Sequence, residues 1–300
     1  MKTSFGRNTF LFLFVLLSKM AIWAHPTGNM ITVGEFVLWP YVDPVDDLAH
    51  HACVMVWHPD RSPKVLLKSE HAASDFMLYN RGETVYAIER RHIGQTQKFE
   101  VRILKFRIGE SPNIIWDWFE DRWRIGEGGF MMPSDDEIVF GKYPGIYSLK
   151  RQAKPAPYFE FGSPINRIRA VQGNNLLLLG EDDCWLVDSD GNIIKQWNDL
   201  LLNEVAQAPL GRNQVFDADY KDGELLLAYW GNRSYVVMAD TGGSEELLKQ
   251  ANPLVPHWVA HYGEGKLLFS SKLVFDGSNP KPQLRLYKTK NVVEDVWIAN

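Results

Sequence analysis

An all-β fold, a six-bladed β-propeller of four-stranded antiparallel blades, is what this 300-residue chain predicts, and three observations carry the prediction. First, a turn pair runs straight into a short apolar strand six times: Gly34-Glu35-Phe36-Val37-Leu38, Gly82-Glu83-Thr84-Val85-Tyr86, Asp136-Glu137-Ile138-Val139-Phe140, Asn174-Asn175-Leu176-Leu177-Leu178, Gly223-Glu224-Leu225-Leu226-Leu227 and Gly265-Lys266-Leu267-Leu268-Phe269. These copies start 48, 54, 38, 49 and 42 positions apart, near the roughly 40–50 residues that one four-stranded blade uses. Second, 11 Trp, 11 Tyr and 16 Phe supply flat side chains for the spaces between blades. Third, Pro and Gly punctuate the whole chain while no long stretch keeps a helical period.

Taken from the N-terminus, Lys2 and Arg7 precede an apolar run from Phe10 to Leu17, and Ala21-Ile22-Trp23-Ala24 offers a small residue at the end of a cleavage site. That is the layout of a secretory signal peptide. Lys19 interrupts the run, which leaves it too short to span a bilayer. Expected, therefore, are a signal peptide over residues 1–24, one propeller domain over 25–300, and a secreted or periplasmic protein with no membrane span after cleavage. His25 then becomes the mature N-terminus, where amine and imidazole together are a copper-chelating pair; an ordered start to the ring is the simpler reading.

The fourth repeat shows the blade best. Ile165 to Val171, Leu176 to Leu179, Cys184 to Val187 and Ile193 to Trp197 read as four strands, and Asp190-Gly191 supplies the positive φ of a tight hairpin. Asp188-x-Asp190-Gly191-Asn192 resembles a calcium loop but lacks the later bidentate Glu. The nearest helical candidates, Leu200 to Ala208 and Glu245 to Gln250, fall between repeats as single turns. Trp116, Trp118 and Trp123 lie in a stretch inserted between the second and third copies. The two cysteines, Cys53 and Cys184, fall on the third strands of the first and fourth blades. Those blades face each other across a six-membered ring, beyond the roughly 7 Å Cα reach of a disulfide, so both are expected as free thiols.

A net charge of −5 excludes a basic stripe for nucleic acid. The basic runs Arg90-Arg91-His92 and Arg102 to Arg107 alternate with apolar residues as a half-exposed strand does. In a propeller the first-strand starts and the loops between second and third strands converge at one end of the channel. The starts are His71 to Asp75, Gly126 to Gly129, Ser163 to Arg169, Gln214 to Asp219 and Pro256 to His261. The loops include Tyr41 to His51, His92 to Gln97, Lys142 to Gly145 and Gly180 to Asp183. From the first set come the candidate ligand-binding residues His71, Arg167, Asp217, His257 and His261, because imidazole, carboxylate and guanidinium groups converging on a pocket suit recognition or acid–base work. Asp43, His50 and His51 are weak metal candidates without a zinc spacing. No resident cofactor is implied, and Asn232-Arg233-Ser234 matches a glycosylation acceptor.

As a whole, the six strand copies make the chain similar to secreted six-bladed β-propellers of the NHL and TolB-like kind, a resemblance of architecture that does not transfer activity. Two functions are open at this level. One is a monomeric, non-catalytic exported propeller binding a protein, peptide or carbohydrate ligand at its channel mouth. The other is a carbohydrate-active hydrolase or lyase working through the His, Asp and Arg set.

Overall fold

The structure is a computed structural model and describes residues 28–42, 51–72, 74–94, 98–171, 175–181, 183–198, 200, 214–230, 234–239, 244–250, 254–272 and 281–299. Among these, six four-stranded sheets follow one another, each built from consecutive strands. The first comprises β1 (Ile31–Val33), β2 (Phe36–Val42), β3 (His51–His58) and β4 (Arg61–Ala72). The second comprises β5 (Ser74–Arg81), β6 (Thr84–His92), β7 (Phe99–Arg107) and β8 (Asn113–Glu120). The third comprises β9 (Phe130–Ser134), β10 (Glu137–Lys142), β11 (Gly145–Lys150) and β12 (Ala156–Pro157). The fourth comprises β13 (Arg167–Val171), β14 (Asn175–Leu179), β15 (Cys184–Val187) and β16 (Ile193–Trp197). The fifth comprises β17 (Gln214–Lys221), β18 (Glu224–Trp230), β19 (Ser234–Ala239) and β20 (Ser244–Gln250). The sixth comprises β21 (Leu254–Tyr262), β22 (Gly265–Lys272), β23 (Gln283–Thr289) and β24 (Val292–Ile298).

The turn pairs do what their chemistry predicts. Val33 pairs with Phe36, Arg81 with Thr84, Lys221 with Glu224 and Tyr262 with Gly265, so each hairpin closes over two residues. Asp222 and Gly223 both take positive φ, 51° and 91°, which matches the strand twist. In the sixth copy the turn is Gly263-Glu264, and Gly265 already belongs to β22, so the turn comes two residues earlier than the sequence repeat implies.

Each second strand is buried on both faces because it lies between two neighbouring sheets. Val37, Leu38 and Trp39 are fully buried, as are Leu176, Leu177 and Leu178. Alternate side chains enter opposite interfaces: Leu176 and Leu178 pack with Val139 and Ile146 of the third sheet, while Leu177 and Leu179 pack with Leu225 and Leu227 of the fifth. Similar clusters join the first sheet to the second, the second to the third and the fifth to the sixth.

The ring closes where the sixth sheet meets the first, by side chains rather than by a shared strand. Met30, Trp39, Met55 and Trp57 pack there against Trp258, Phe269, Leu284 and Leu286. Trp258 stacks on Phe269 at 4.5 Å, and the Tyr262 hydroxyl donates to Glu35 O at 2.8 Å. The first strands β1, β5, β9, β13, β17 and β21 touch in sequence around the circle and line the channel.

Several local expectations are corrected. Glu245 to Gln250 lies in β20 and not in a helical turn: it pairs with β19 from Ala239↔Ser244 to Ser234↔Gln250, with a bulge at Leu247 that lets Leu247 and Leu248 pack on one cluster. Leu200 to Ala208 lies, beyond Leu200, outside the described residues. Trp116 and Trp118 belong to β8, the fourth strand of the second sheet, while Trp123 lies in the nine-residue connection from β8 to β9, so long strands and that connection together make the long interval. Cys53 on β3 and Cys184 on β15 are both buried and in no disulfide, as expected, and burial pushes the Cys184 thiol up. Among the described residues no helix is long and apolar enough to cross a membrane.

Candidate functional site: a bolted channel and an open groove

Four of the five candidate residues reach the channel wall, because Arg167 opens β13, Asp217 sits on β17, and His257 and His261 sit on β21. β-bulges at matching places in the fifth and sixth sheets, between Val215 and Asp217 and between Pro256 and Trp258, set Phe216 and His257 side by side with ring centroids 5.4 Å apart. His71 is the exception and a correction. It lies near the end of β4, the outermost strand of the first sheet, and not at a first-strand start. Register shifts along the β3–β4 pair let β4 run through twelve residues, past the point where the repeat would end it. There the His71 ring meets Arg91 Nη1 at 2.8 Å and the edge of Trp118 at 5.3 Å. Of the metal candidates, Asp43 and His50 lie outside the described residues, while His51 is the first residue of β3. Among the described residues no group of three or more His, Cys, Asp or Glu is placed to hold a metal ion.

The channel arginines, Asp219 and His261 are spent on one another and on backbone, while Asp217 Oδ1 is buried with no hydrogen-bond partner among the described residues. Arg169, one turn of the pleat beyond Arg167, reaches across the ring: Nη1 donates to Asp217 Oδ2 at 2.9 Å and to Val259 O at 3.0 Å, and Nη2 donates to Met30 O at 3.0 Å. Its Nε lies 3.3 Å from Asp219 Oδ1. Arg167 donates to Phe216 O at 2.8 Å and to Gly28 O at 2.6 Å. Two guanidiniums of the fourth sheet thus bind the fifth, the sixth and the start of the first, and they touch both sides of the seam where the ring closes. His261 is held likewise, with Nδ1 3.0 Å from Asp219 Oδ2 and Nε2 3.1 Å from Glu224 Oε1.

Electrostatics follow from this wiring. Burial drives the Asp217 carboxyl above its usual range, and Arg169, Arg167 and the Val259 N–H offset only part of that. For Asp219, burial pulls upward but Arg169 and the His261 contacts outweigh it, so its carboxyl sits well below the usual range. Burial lowers the Arg167 guanidinium, whereas the two aspartates more than compensate burial at Arg169 and raise it. Arg167 borders a cavity of about 710 Å³ on the side of the first hairpins, where Asn80, Tyr79 and Lys221 also line the wall, and a smaller one of about 220 Å³ on the side of the strand starts. The arginines divide the channel between them.

At that strand-start end a larger groove of about 920 Å³ lies between the third and fourth sheets. Its floor is backbone. Ile168 N donates to Gly128 O at 2.7 Å, and a Cβ at Gly129, which has φ +78°, would stand 2.0 Å from Ile168 O, so only glycine permits this approach of the two sheets. One bank carries Arg124, from the connection between β8 and β9, together with Lys142 and Tyr143 from the β10–β11 turn. The other bank carries Glu181 and Asp183 from the β14–β15 turn, and Ser163 and Asn166 lie between. Tyr143 is 65% exposed, and Lys142 Nζ sits 4.8 Å from the centroid of Trp123, itself 39% exposed. Glu127 meets Arg90 Nη1 through Oε1 at 2.5 Å and Arg124 Nη1 through Oε2 at 3.6 Å, Arg90 being held by Asp75 as well, and Arg124 remains 67% exposed.

These residues come from segments that the repeat had placed at the channel mouth, namely Gly126 to Gly129, Lys142 to Gly145, Ser163 to Arg169 and Gly180 to Asp183. The sequence reading ranked imidazoles and carboxylates on strands above exposed aromatics on turns, so Trp123 and Tyr143 were not among its candidate ligand-binding residues. Trp123 beside a Gly-rich start, and Tyr143 on a two-residue link, were the signals available.

No protein-family model matches the chain, and no curated protein sequence matches it. Among solved structures, the β-propeller domain of the trilobed protease from Pyrococcus furiosus is similar at 12% identity and a TM-score of 0.47, covering 93% of this chain and 97% of that one. Pyrococcus horikoshii acylaminoacyl peptidase gives 11% identity and 0.48 over 94% of this chain and 54% of that one. The Neurospora crassa Pan2 WD40 domain gives 11% identity and 0.46 over 90% and 78%. The chain spans about half the length of the acylaminoacyl peptidases that it matches, 46% in one and 54% in another. The chain is an all-β propeller of four-stranded antiparallel sheets.

Proposed function

We propose that this protein is a non-catalytic, exported, monomeric binding propeller that holds a peptide segment of a partner protein in the groove between its third and fourth sheets. The observation that carries this reading is the contrast in availability. Arg167, Arg169, Asp219 and His261 are hydrogen-bonded to one another, to Glu224 or to backbone, whereas Tyr143 and Arg124 stand exposed on an open 920 Å³ groove and Trp123 is exposed beside it, with the half-buried Lys142 over its ring. Exposed aromatic and Arg side chains beside a concave surface are the usual anchors of recognition. Catalysis through His257, His261, Asp217 and Arg167 draws less support: Asp217, His261 and Arg167 border the 710 Å³ cavity, but an acid–base pair needs a reacting atom within hydrogen-bond reach, and Asp217 Oδ2 and both His261 nitrogens already have partners.

Peptide and glycan arrays probed with the mature protein test this directly. Peptide hits that weaken about ten- to a hundredfold in Tyr143→Ala or Trp123→Ala, with the melting temperature unchanged, support the groove. Glycan hits alone, or binding unaffected by both variants, overturn it. Export is tested by N-terminal sequencing of protein recovered outside the cytoplasm, which should begin at His25.

A further inference from the structure

The connection from β8 to β9 carries two features that a plain link between strands does not need, and both act at Trp123 and Arg124. Arg124 takes φ +56°, in the left-handed region that residues with a Cβ rarely enter. Among the described residues two other non-glycine residues do so, but Gln152 and Asp222 are central residues of tight turns. Arg124 instead opens its turn, the one closed by Glu127 N donating to Arg124 O at 3.2 Å. The second feature is Asp121, whose carboxyl is buried and whose Oδ1 accepts from Trp123 N at 3.1 Å and from Ile125 N at 3.0 Å. Its Oδ2 is buried with no hydrogen-bond partner among the described residues. Burial raises this carboxyl, and the two N–H groups and Arg90 offset only part of that.

Together these features make one arm. A left-handed residue between two N–H groups turns both toward a single oxygen, so the Asp121 carboxylate and the Arg124 backbone fix one another. Ile125 anchors the far side, buried among Met77, Ile88 and Phe130. Between the anchors the chain holds out Trp123, beside Lys142, and Arg124, which lines the groove; Trp123 and Tyr143 are the exposed aromatic wall on that side. Glycine would adopt the backbone of residue 124 without strain. The Arg124 side chain gains little where it is, being 67% exposed with its ion contact to Glu127 Oε2 at 3.6 Å. Resting on the reading that the groove holds a peptide, we propose that Arg124 is kept in this strained backbone to donate to an oxygen of that peptide, and that Asp121 is the positioning residue that holds Arg124 and Trp123 against it.

The test sets affinity against stability, using the tightest array peptide whose binding Tyr143→Ala weakens. Arg124→Gly should weaken that peptide about tenfold while the melting temperature holds or rises by up to about 2 °C, since glycine relieves the left-handed residue. Asp121→Ala should weaken it to a similar degree. Asp121→Asn should restore most of the affinity, because the amide oxygen accepts the same two N–H groups. In a Trp123→Ala/Arg124→Gly background Asp121→Ala should change affinity no further, whereas damage spread through the fold would lower it again. A peptide weakened by Tyr143→Ala but indifferent to Arg124→Gly, or a fall of more than about 2 °C in that variant, overturns the inference and leaves the groove reading in place. No peptide hit at all removes the binding reading and this inference with it.

Discussion

The channel and the groove use the same kinds of residue and come out differently. In the channel, Arg169 makes three hydrogen bonds and a further ion contact, its side chain is only 10% exposed, and its partners belong to three other sheets. In the groove, Arg124 has one ion contact, at 3.6 Å, and is 67% exposed. A buried charge must be paired to be tolerated, so burial converts Arg169 into structure, whereas Arg124 keeps its donors for something else. Residue type alone does not mark a site. Unspent hydrogen-bonding capacity beside open space does.

The largest effect that would break this comparison is on the ring itself. Arg169→Ala removes every one of those contacts and leaves the buried Asp217 carboxylate without its guanidinium, at a cost of about 3–5 kcal/mol. Thermal unfolding should show a fall of several degrees or more, while Arg124→Ala stays within about 0.5 kcal/mol of the parent. Equal melting temperatures for the two would mean that the channel pair is as dispensable as the surface one.

A second prediction separates the two channel aspartates by pH. The Asp219 carboxyl is depressed in the folded protein, so its ionic contribution is fully present above the unfolded value of about 4 and is lost as pH falls through its lower folded pKa. Asp219→Asn should cost about 1–3 kcal/mol at pH 7, with the gap from the parent closing in urea melts taken progressively below about pH 4. The Asp217 carboxyl is raised, so its own ionisation opposes stability as pH rises through the unfolded value. A gap for Asp219→Asn that widens on acidification would refute the assignment.

A third concerns the thiols. Native protein should react negligibly with a thiol reagent within minutes and two equivalents should react after denaturation without reductant, since Cys53 and Cys184 are buried and in no disulfide. Rapid native labelling would show that the interfaces around β3 and β15 open readily. The smallest effect is at Tyr143 and Trp123, whose replacement by Ala should move stability by no more than about 0.5 kcal/mol; a large loss there would make the aromatic wall part of the core.

Much of the architecture follows from local pattern. The six turn-strand copies, with apolar runs flanked by Gly, Asp and Asn, require short strands buried on both faces, and such strands are stable only when neighbours cover them. The same pattern placed Cys53 and Cys184 on third strands, and it placed the Lys142 and Gly180 loops at one end of the channel, because strand order along the chain equals strand order in each sheet. Tertiary structure decided the rest. Whether Arg169 faces solvent or spans the ring to Met30 depends on which backbone carbonyls lie across the channel, and those are about 140 residues away along the chain, 139 by count. His71 left the channel because register shifts lengthened β4, a result of pairing rather than composition. Sequence specifies which groups exist and which strand bears them; only the closed ring settles which of their hydrogen bonds are already made, and so which groups remain for a partner.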